Sequence, residues 1–171
     1  VEGDLRCRWR RIGDHGVFCW PTTGTLVQLP NGSYSHQNAD AYDISAPLST
    51  RVFSPFEGWA HKGDMGSRDY GKFVVVDSYV QGRWVRLIYG HLREASVGEP
   101  VANFWDNLAI NHDTGGLENG ATNNVGQFIS AGDQIGLVDS TGHSTGNHLH
   151  YELGYVNGVR HRLNSPGISL E

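Results

Sequence analysis

Leu149, Tyr151 and Leu153 alternate with His148, His150 and Glu152, and a period of two marks a half-buried β-strand. The same short period recurs along the chain. Val17 to Trp20 and Thr25 to Leu29 read as short strands, separated by Pro21 and Gly24 and closed by the turn signal Pro30-Asn31-Gly32. Arg51 to Ser54 and Gly58 to Lys62 bracket Pro55 and predict two strands joined at a bend. Lys72 to Tyr79 and Arg83 to Tyr89 are rich in β-branched and aromatic residues; they predict a hairpin turning near Val80-Gln81-Gly82, whose second strand runs out at His91. Val125 to Val138 predicts two more short strands, and the polar, glycine-rich turn Asp139 to Gly146 leads into the strand at His148. From about Gly98 to Asn124 the alternation fails and Asn, Asp and Gly dominate, predicting a long inserted loop that Trp105, Leu108 and Ile110 tie down in part. No helical period is present.

These elements predict an all-β protein with a single domain over residues 1–171 that begins with an N-terminal arm over 1–17. Composition agrees. Twenty-three glycines, five tryptophans and seven tyrosines beside one methionine belong to a turn-rich β protein. A net charge of −5 removes the basic footprint of a nucleic-acid binder. No apolar run approaches the roughly 18 residues of a membrane helix. Cys7 and Cys19, twelve positions apart, predict a disulfide of an oxidising compartment, stabilising by about 3 kcal/mol in the loop-entropy picture. Two buried free thiols are the alternative.

The chemistry concentrates in few places. On a strand, His148 and His150 leave the same face, and two imidazoles at that spacing suit zinc; an exposed polar strand face is the bland alternative. Catalytic zinc needs three protein ligands and an open position, so further donors are expected from elsewhere. Candidates are His36, Asp40 and Asp43 in the segment Tyr34 to Pro47, and His91 at the end of the hairpin. Asp106, Asp113 and Glu118 lack the ordered spacing of a calcium loop.

The ordered motifs together resemble the lysostaphin/LytM-type zinc metalloendopeptidases. They are Phe18-Cys19-Trp20-Pro21 with Gly24, His36 followed by Asp43-Ile44-Ser45-Ala46-Pro47, Val52-Phe53-Ser54-Pro55 with Gly58, Tyr89-Gly90-His91-Leu92, Gly132-Asp133-Gln134-Ile135-Gly136, and Thr141 to Glu152. The resemblance implies a twisted antiparallel β-sheet core with an active-site groove walled by loops. It implies one Zn2+ per chain held by His36, Asp43 and His150, with His91 and His148 as the two further active-site histidines. Asp40 has the family's usual four-residue spacing from His36, but Asp43 keeps the register into Val52 and Gly58 and is preferred. The inserted loop at about 98–124 departs from the family pattern, in which the strand after His-Leu runs directly into the Gly-Gln turn.

The implied activity is hydrolysis of peptide bonds in bacterial peptidoglycan, in stem peptides or cross-bridges, by a secreted or periplasmic monomer. Zinc with two neutral imidazoles and a carboxylate can generate a nucleophile from water near neutral pH. His91 and His148 would orient that water, stabilise the oxyanion and protonate the leaving nitrogen. Glu152 shares the histidine face and Tyr34 is a candidate oxyanion donor. The rivals are a non-catalytic binding or activator module of cell-wall hydrolases, a peptidase of glycine-rich proteins, and a β-sandwich sugar-binding module.

Overall fold

The structure is a computed structural model and describes residues 8–11, 17–28, 41–80, 83–100, 110–111, 116–117, 126–153, 155–156 and 159–160. The described residues form strands and no helix: β1 (Arg8–Arg11), β2 (Val17–Trp20), β3 (Thr25–Gln28), β4 (Ala41–Ser45), β5 (Arg51–Phe53), β6 (Gly58–Asp64), β7 (Lys72–Val80) and β8 (Arg83–Ala95) in the first part. They continue with β9 (Glu99–Pro100), β10 (Ile110–Asn111), β11 (Gly116–Leu117), β12 (Gln127–Ile129), β13 (Gln134–Val138), β14 (His148–Leu153), β15 (Tyr155–Val156) and β16 (Val159–Arg160). The main sheet runs in the order β12-β6-β7-β8-β14-β4-β3, with every pair on that path antiparallel. A short parallel pairing of β9 with β6 makes it mixed.

Alternation decides which side of this sheet becomes core. Tyr42 and Ile44, Val74 and Val76, Leu87 and Tyr89, and Leu149 and Tyr151 project to one face and are buried there. β13 pairs with the far end of β8 and β5 pairs with β13. They add Val52, Ile135 and Val138 to the same cluster, so the core lies between the sheet and these two strands. Each such side chain stabilises by roughly 1.5–3 kcal/mol on burial. Tyr42 pairs with Tyr151 and Tyr151 with Tyr89 across three neighbouring strands. This tyrosine row lies directly behind the face that carries Asp43 and His150.

The other face holds a smaller apolar group, Phe73, Val75 and Ile88 with Met65 and Tyr70 against it, and an ion pair. Arg86 stands opposite Asp77, its Nε donating to Oδ1 at 2.7 Å and its Nη2 to Oδ2 at 2.9 Å, with both residues buried. His61 on β6, opposite Val75 on β7, is also fully buried, and among the described residues neither of its ring nitrogens has a hydrogen-bond partner. Burial lowers its pKa; Asp77 and Glu99 oppose that shift and Arg86 adds to it.

Two expectations need correction. The second strand of the hairpin does not end at His91 but continues to Ala95. It can do so because the chain absorbs an extra residue at the register shift between the Lys72–Leu92 and Val74–Tyr89 pairs, where His91 takes φ 61°. The inserted region is not without pattern either: its described residues include β9 and the paired β10 and β11. The arm up to Cys7, the Cys7–Cys19 disulfide, His36, Asp40, Tyr34 and the rest of the insertion lie outside the described residues.

Two stability effects are expected. Replacing Arg86 by Leu leaves Asp77 buried without its guanidinium and should cost about 3–5 kcal/mol in urea unfolding; a loss under about 1 kcal/mol would contradict the reading of this pair. His61 has a folded pKa below its unfolded one, so its contribution is present above about pH 6.5 and is lost as pH falls through the lowered folded value. His61→Leu should therefore show a shallower decline of stability between about pH 6.5 and pH 5 than the parent chain. Equal slopes would count against it.

Candidate metal centre

β14 supplies the centre of the site because it lies between β4 and β8. His150 stands opposite Asp43 on one side and Gly90 on the other, so strand pairing alone brings the imidazole and the carboxylate together. His150 Nδ1 faces Asp43 Oδ1 at 3.1 Å, and His148 Nε2 lies 3.5 Å from the same oxygen. At the other nitrogen, His150 Nε2–H donates to Glu152 Oε1 at 2.7 Å. The Tyr70 hydroxyl donates to that oxygen too, at 2.9 Å. Gln28 on β3 donates from Nε2 to Asp43 Oδ2 at 2.8 Å.

His91 enters from the bulge in β8. Its backbone N–H donates to the Tyr70 carbonyl, and its ring Nδ1–H donates to the Thr141 carbonyl at 2.6 Å. His148 Nδ1–H donates to the Gly146 carbonyl at 2.8 Å. A carbonyl can only accept, so both rings carry a proton on Nδ1 and turn Nε2 to the site. The two rings are neighbours, 4.7 Å between centroids, and His91 lies 5.6 Å from His150. Ligand atoms of His91, His148 and His150 all fall within 4.8 Å of one another.

Electrostatics separates these histidines. Burial, and then the nearby His150, push His91 down to about 4, so its ring is neutral in ordinary buffers. For His150, burial opposes charge, but the hydrogen bonds to Asp43 and Glu152 outweigh it and raise the ring to about 9. Carboxylates at both nitrogens make this a place that favours positive charge, and a divalent cation supplies that charge once the ligand nitrogen gives up its proton. The donors suit zinc in kind, imidazole nitrogen and carboxylate oxygen. They also suit it in spacing: two ligands of one tetrahedral zinc lie about 3.3 Å apart, close to the 3.1 Å between His150 Nδ1 and Asp43 Oδ1.

Thr141 ties the histidines to the turn before β7. Its carbonyl orients His91, its hydroxyl donates to the Leu92 carbonyl at 2.6 Å, and that hydroxyl accepts the Lys72 N–H at 3.2 Å. The two loops touch at glycines: a Cβ on Gly142, at φ 76°, would strike the Gly71 nitrogen and the Asp69 carbonyl. Gly142→Ala should thus displace Thr141 and cost roughly 1–3 kcal/mol. The His91 ring nitrogens, followed by NMR, should lose their single tautomer, and an unchanged spectrum would show that the glycine contact does not support His91.

Of the residues singled out from sequence, Asp43, His91, His148 and His150 come together here, and His36 lies outside the described residues. Glu152 lies where alternation put it, now with a partner. Gln28, Tyr70 and the Thr141 and Gly146 carbonyls had no sequence signal, since backbone acceptors and bulged strands leave no periodic trace. His143 is exposed.

Residues 112–162 match the family model described as Peptidase family M23. The fold is shared with a variant catalytic domain of the prophage-encoded M23 protein EnpA from Enterococcus faecalis, at 22% identity and TM-score 0.55, covering 86% of this chain and 97% of that one. It is shared also with the catalytic domain of the antimicrobial peptidase lysostaphin from Staphylococcus simulans, at 19% identity and TM-score 0.51, covering 84% and 89%. A Haemophilus influenzae protein named as an uncharacterized metalloprotease is 28% identical over 116 residues, 68% of this chain but 18% of its own length. The chain therefore spans under a fifth of that relative. The all-β sheet that carries this histidine and carboxylate cluster is thus the fold of the EnpA and lysostaphin catalytic domains. Within it, these matches support the lysostaphin/LytM-type family that the sequence motifs resemble.

Proposed function

We propose that this chain is a zinc metalloendopeptidase that hydrolyses peptide bonds in bacterial peptidoglycan, acting outside the cytoplasmic membrane. In this reading His36, Asp43 and His150 hold one zinc, and His91 and His148 are the catalytic residues. The observation that carries it is the convergence of Asp43, His150, His148 and His91 on one face, with the last two rings locked to present Nε2. When bound, zinc supplies Lewis-acid chemistry, polarising a peptide carbonyl and acidifying water.

The protein's own residues do the rest. His91, neutral through burial, takes a proton from the attacking water at Nε2, and the Thr141 carbonyl stabilises the resulting charge at Nδ1–H. His148 lies at the open start of β14; a proton taken up there from solvent at Nε2 passes to the oxyanion or the leaving nitrogen, and the proton held by His91 returns to solvent as the products leave. Asp43 and Glu152 fix His150 from its two nitrogens, so the ring cannot turn away. An absent His-Glu-x-x-His helix is no obstacle to this chemistry, since the proton acceptors are imidazoles. Cutting within the stem peptides or cross-bridges is inferred from the family, as is export to an oxidising compartment, where Cys7 and Cys19 would pair.

Substitutions separate the roles. Asp43→Ala should abolish zinc retention while Asp40→Ala keeps it, and the reverse outcome would reassign the ligand. His91→Ala and His148→Ala should each retain about one zinc and lose turnover of purified peptidoglycan by at least roughly 100-fold. Loss of zinc in His148→Ala would move that residue into the ligand set, which its 3.5 Å approach to Asp43 also permits. Zinc uptake without turnover in the parent chain would favour a non-catalytic binding or activator module.

A further inference from the structure

We infer that Gln28 is a positioning residue for the Asp43 carboxylate, and that a β-bulge at Val27 exists to put it there. The inference rests on the reading of Asp43 as a zinc ligand.

Among the described residues β3 is the last strand on its side of the main sheet, and its pairing with β4 is irregular. Leu26 stands opposite Ile44, but the next pair is Gln28 with Asp43, so Val27 is an extra residue. Leu26 and Ile44 face the core. In a regular ladder the residue opposite Asp43 would be Val27, because adjacent residues alternate between faces. A valine there offers no hydrogen bond. The bulge takes Val27 out of the ladder, where its side chain is 60% exposed although apolar, and turns Gln28 onto the metal-centre face.

Bulges of this kind bend a strand and re-aim a side chain. Here the consequence is a bond from the Gln28 amide to Asp43 Oδ2 at 2.8 Å. The other oxygen, Oδ1, is the one turned to His150 and His148. Gln28 therefore divides the carboxylate into a held oxygen and a presented oxygen. An amide donor is neutral, so it orients Asp43 without neutralising the charge that a cation needs. Partners that hold a ligating side chain commonly change metal affinity by about 10–100-fold. His150 has the matching device in Glu152, whose Oε1 accepts its Nε2–H at 2.7 Å.

The test compares zinc affinity, measured by competition with a chromophoric chelator, in the parent chain and in Gln28→Met, Gln28→Asn and Val27→Ser. Met keeps the length without the donor, and Asn keeps the amide one methylene too short. Both should weaken zinc by about 10–100-fold with far-UV circular dichroism and melting of the metal-free chain unchanged, and Val27→Ser should bind as the parent does. Cobalt loading gives a second readout. Without the Gln28 amide the Asp43 carboxylate is held in a different orientation, so the visible bands of the Gln28 variants should shift. Parent-like zinc affinity and cobalt spectra in both Gln28 variants would overturn the inference alone. A parent chain that takes up no zinc would overturn the ligand reading and this inference with it.

Discussion

The antiparallel register between β4 and β14 is the constraint on which the rest depends. It sets His150 opposite Asp43 and, on the other face, Tyr151 opposite Tyr42. A slip of one residue would turn both histidines of β14 into the core and bring Leu149 and Tyr151 to the metal centre. Burial prevents this. Tyr42, Tyr89, Leu149 and Tyr151 are all fully buried, and exposing them while burying imidazoles and carboxylates would cost many kcal/mol. The apolar face thus fixes the chemistry of the polar face, and the tyrosine row does so at the strands that carry the ligands.

Regular pairing explains only half of the centre. Asp43 and His150 come from an uninterrupted ladder, whereas His91 and Gln28 come from places where the ladder fails. The bulge in β8 gives His91 a left-handed backbone, which histidine tolerates better than most side chains, and turns its ring toward Thr141 and the other histidines. At Val27 a second bulge exchanges an apolar residue for an amide. A sheet made only of regular strands presents ligands at directly opposed positions and two residues apart along one face. Local irregularity is what lets four strands aim at one point.

That distinction also marks what the sequence reveals. The alternation around His148 and His150 is legible because half of each strand is buried, and it places Glu152 on the correct face. The hairpin of β7 and β8 is equally clear from its β-branched residues. The continuation of β8 past His91 is not, because a bulge breaks the period of two that would announce it. Gln28 is hidden for the same reason. His61 reads as an ordinary polar position and is fully buried; only the cross-strand register, which sets it beside the Asp77 and Arg86 face, reveals this. The choice of Asp43 over Asp40 came from register with the motifs that follow, and the position it occupies, opposite His150, is a matter of pairing that spacing from His36 does not express.

The most direct measurement is metal content of the purified chain by mass spectrometry, joined to hydrolysis of purified peptidoglycan before and after chelation. About one zinc per chain, with release of new amino termini that stops on chelation and returns on adding zinc, is the expected result. A chain that holds no zinc, or hydrolysis that persists after the metal is removed, would contradict a zinc peptidase centred on Asp43 and His150.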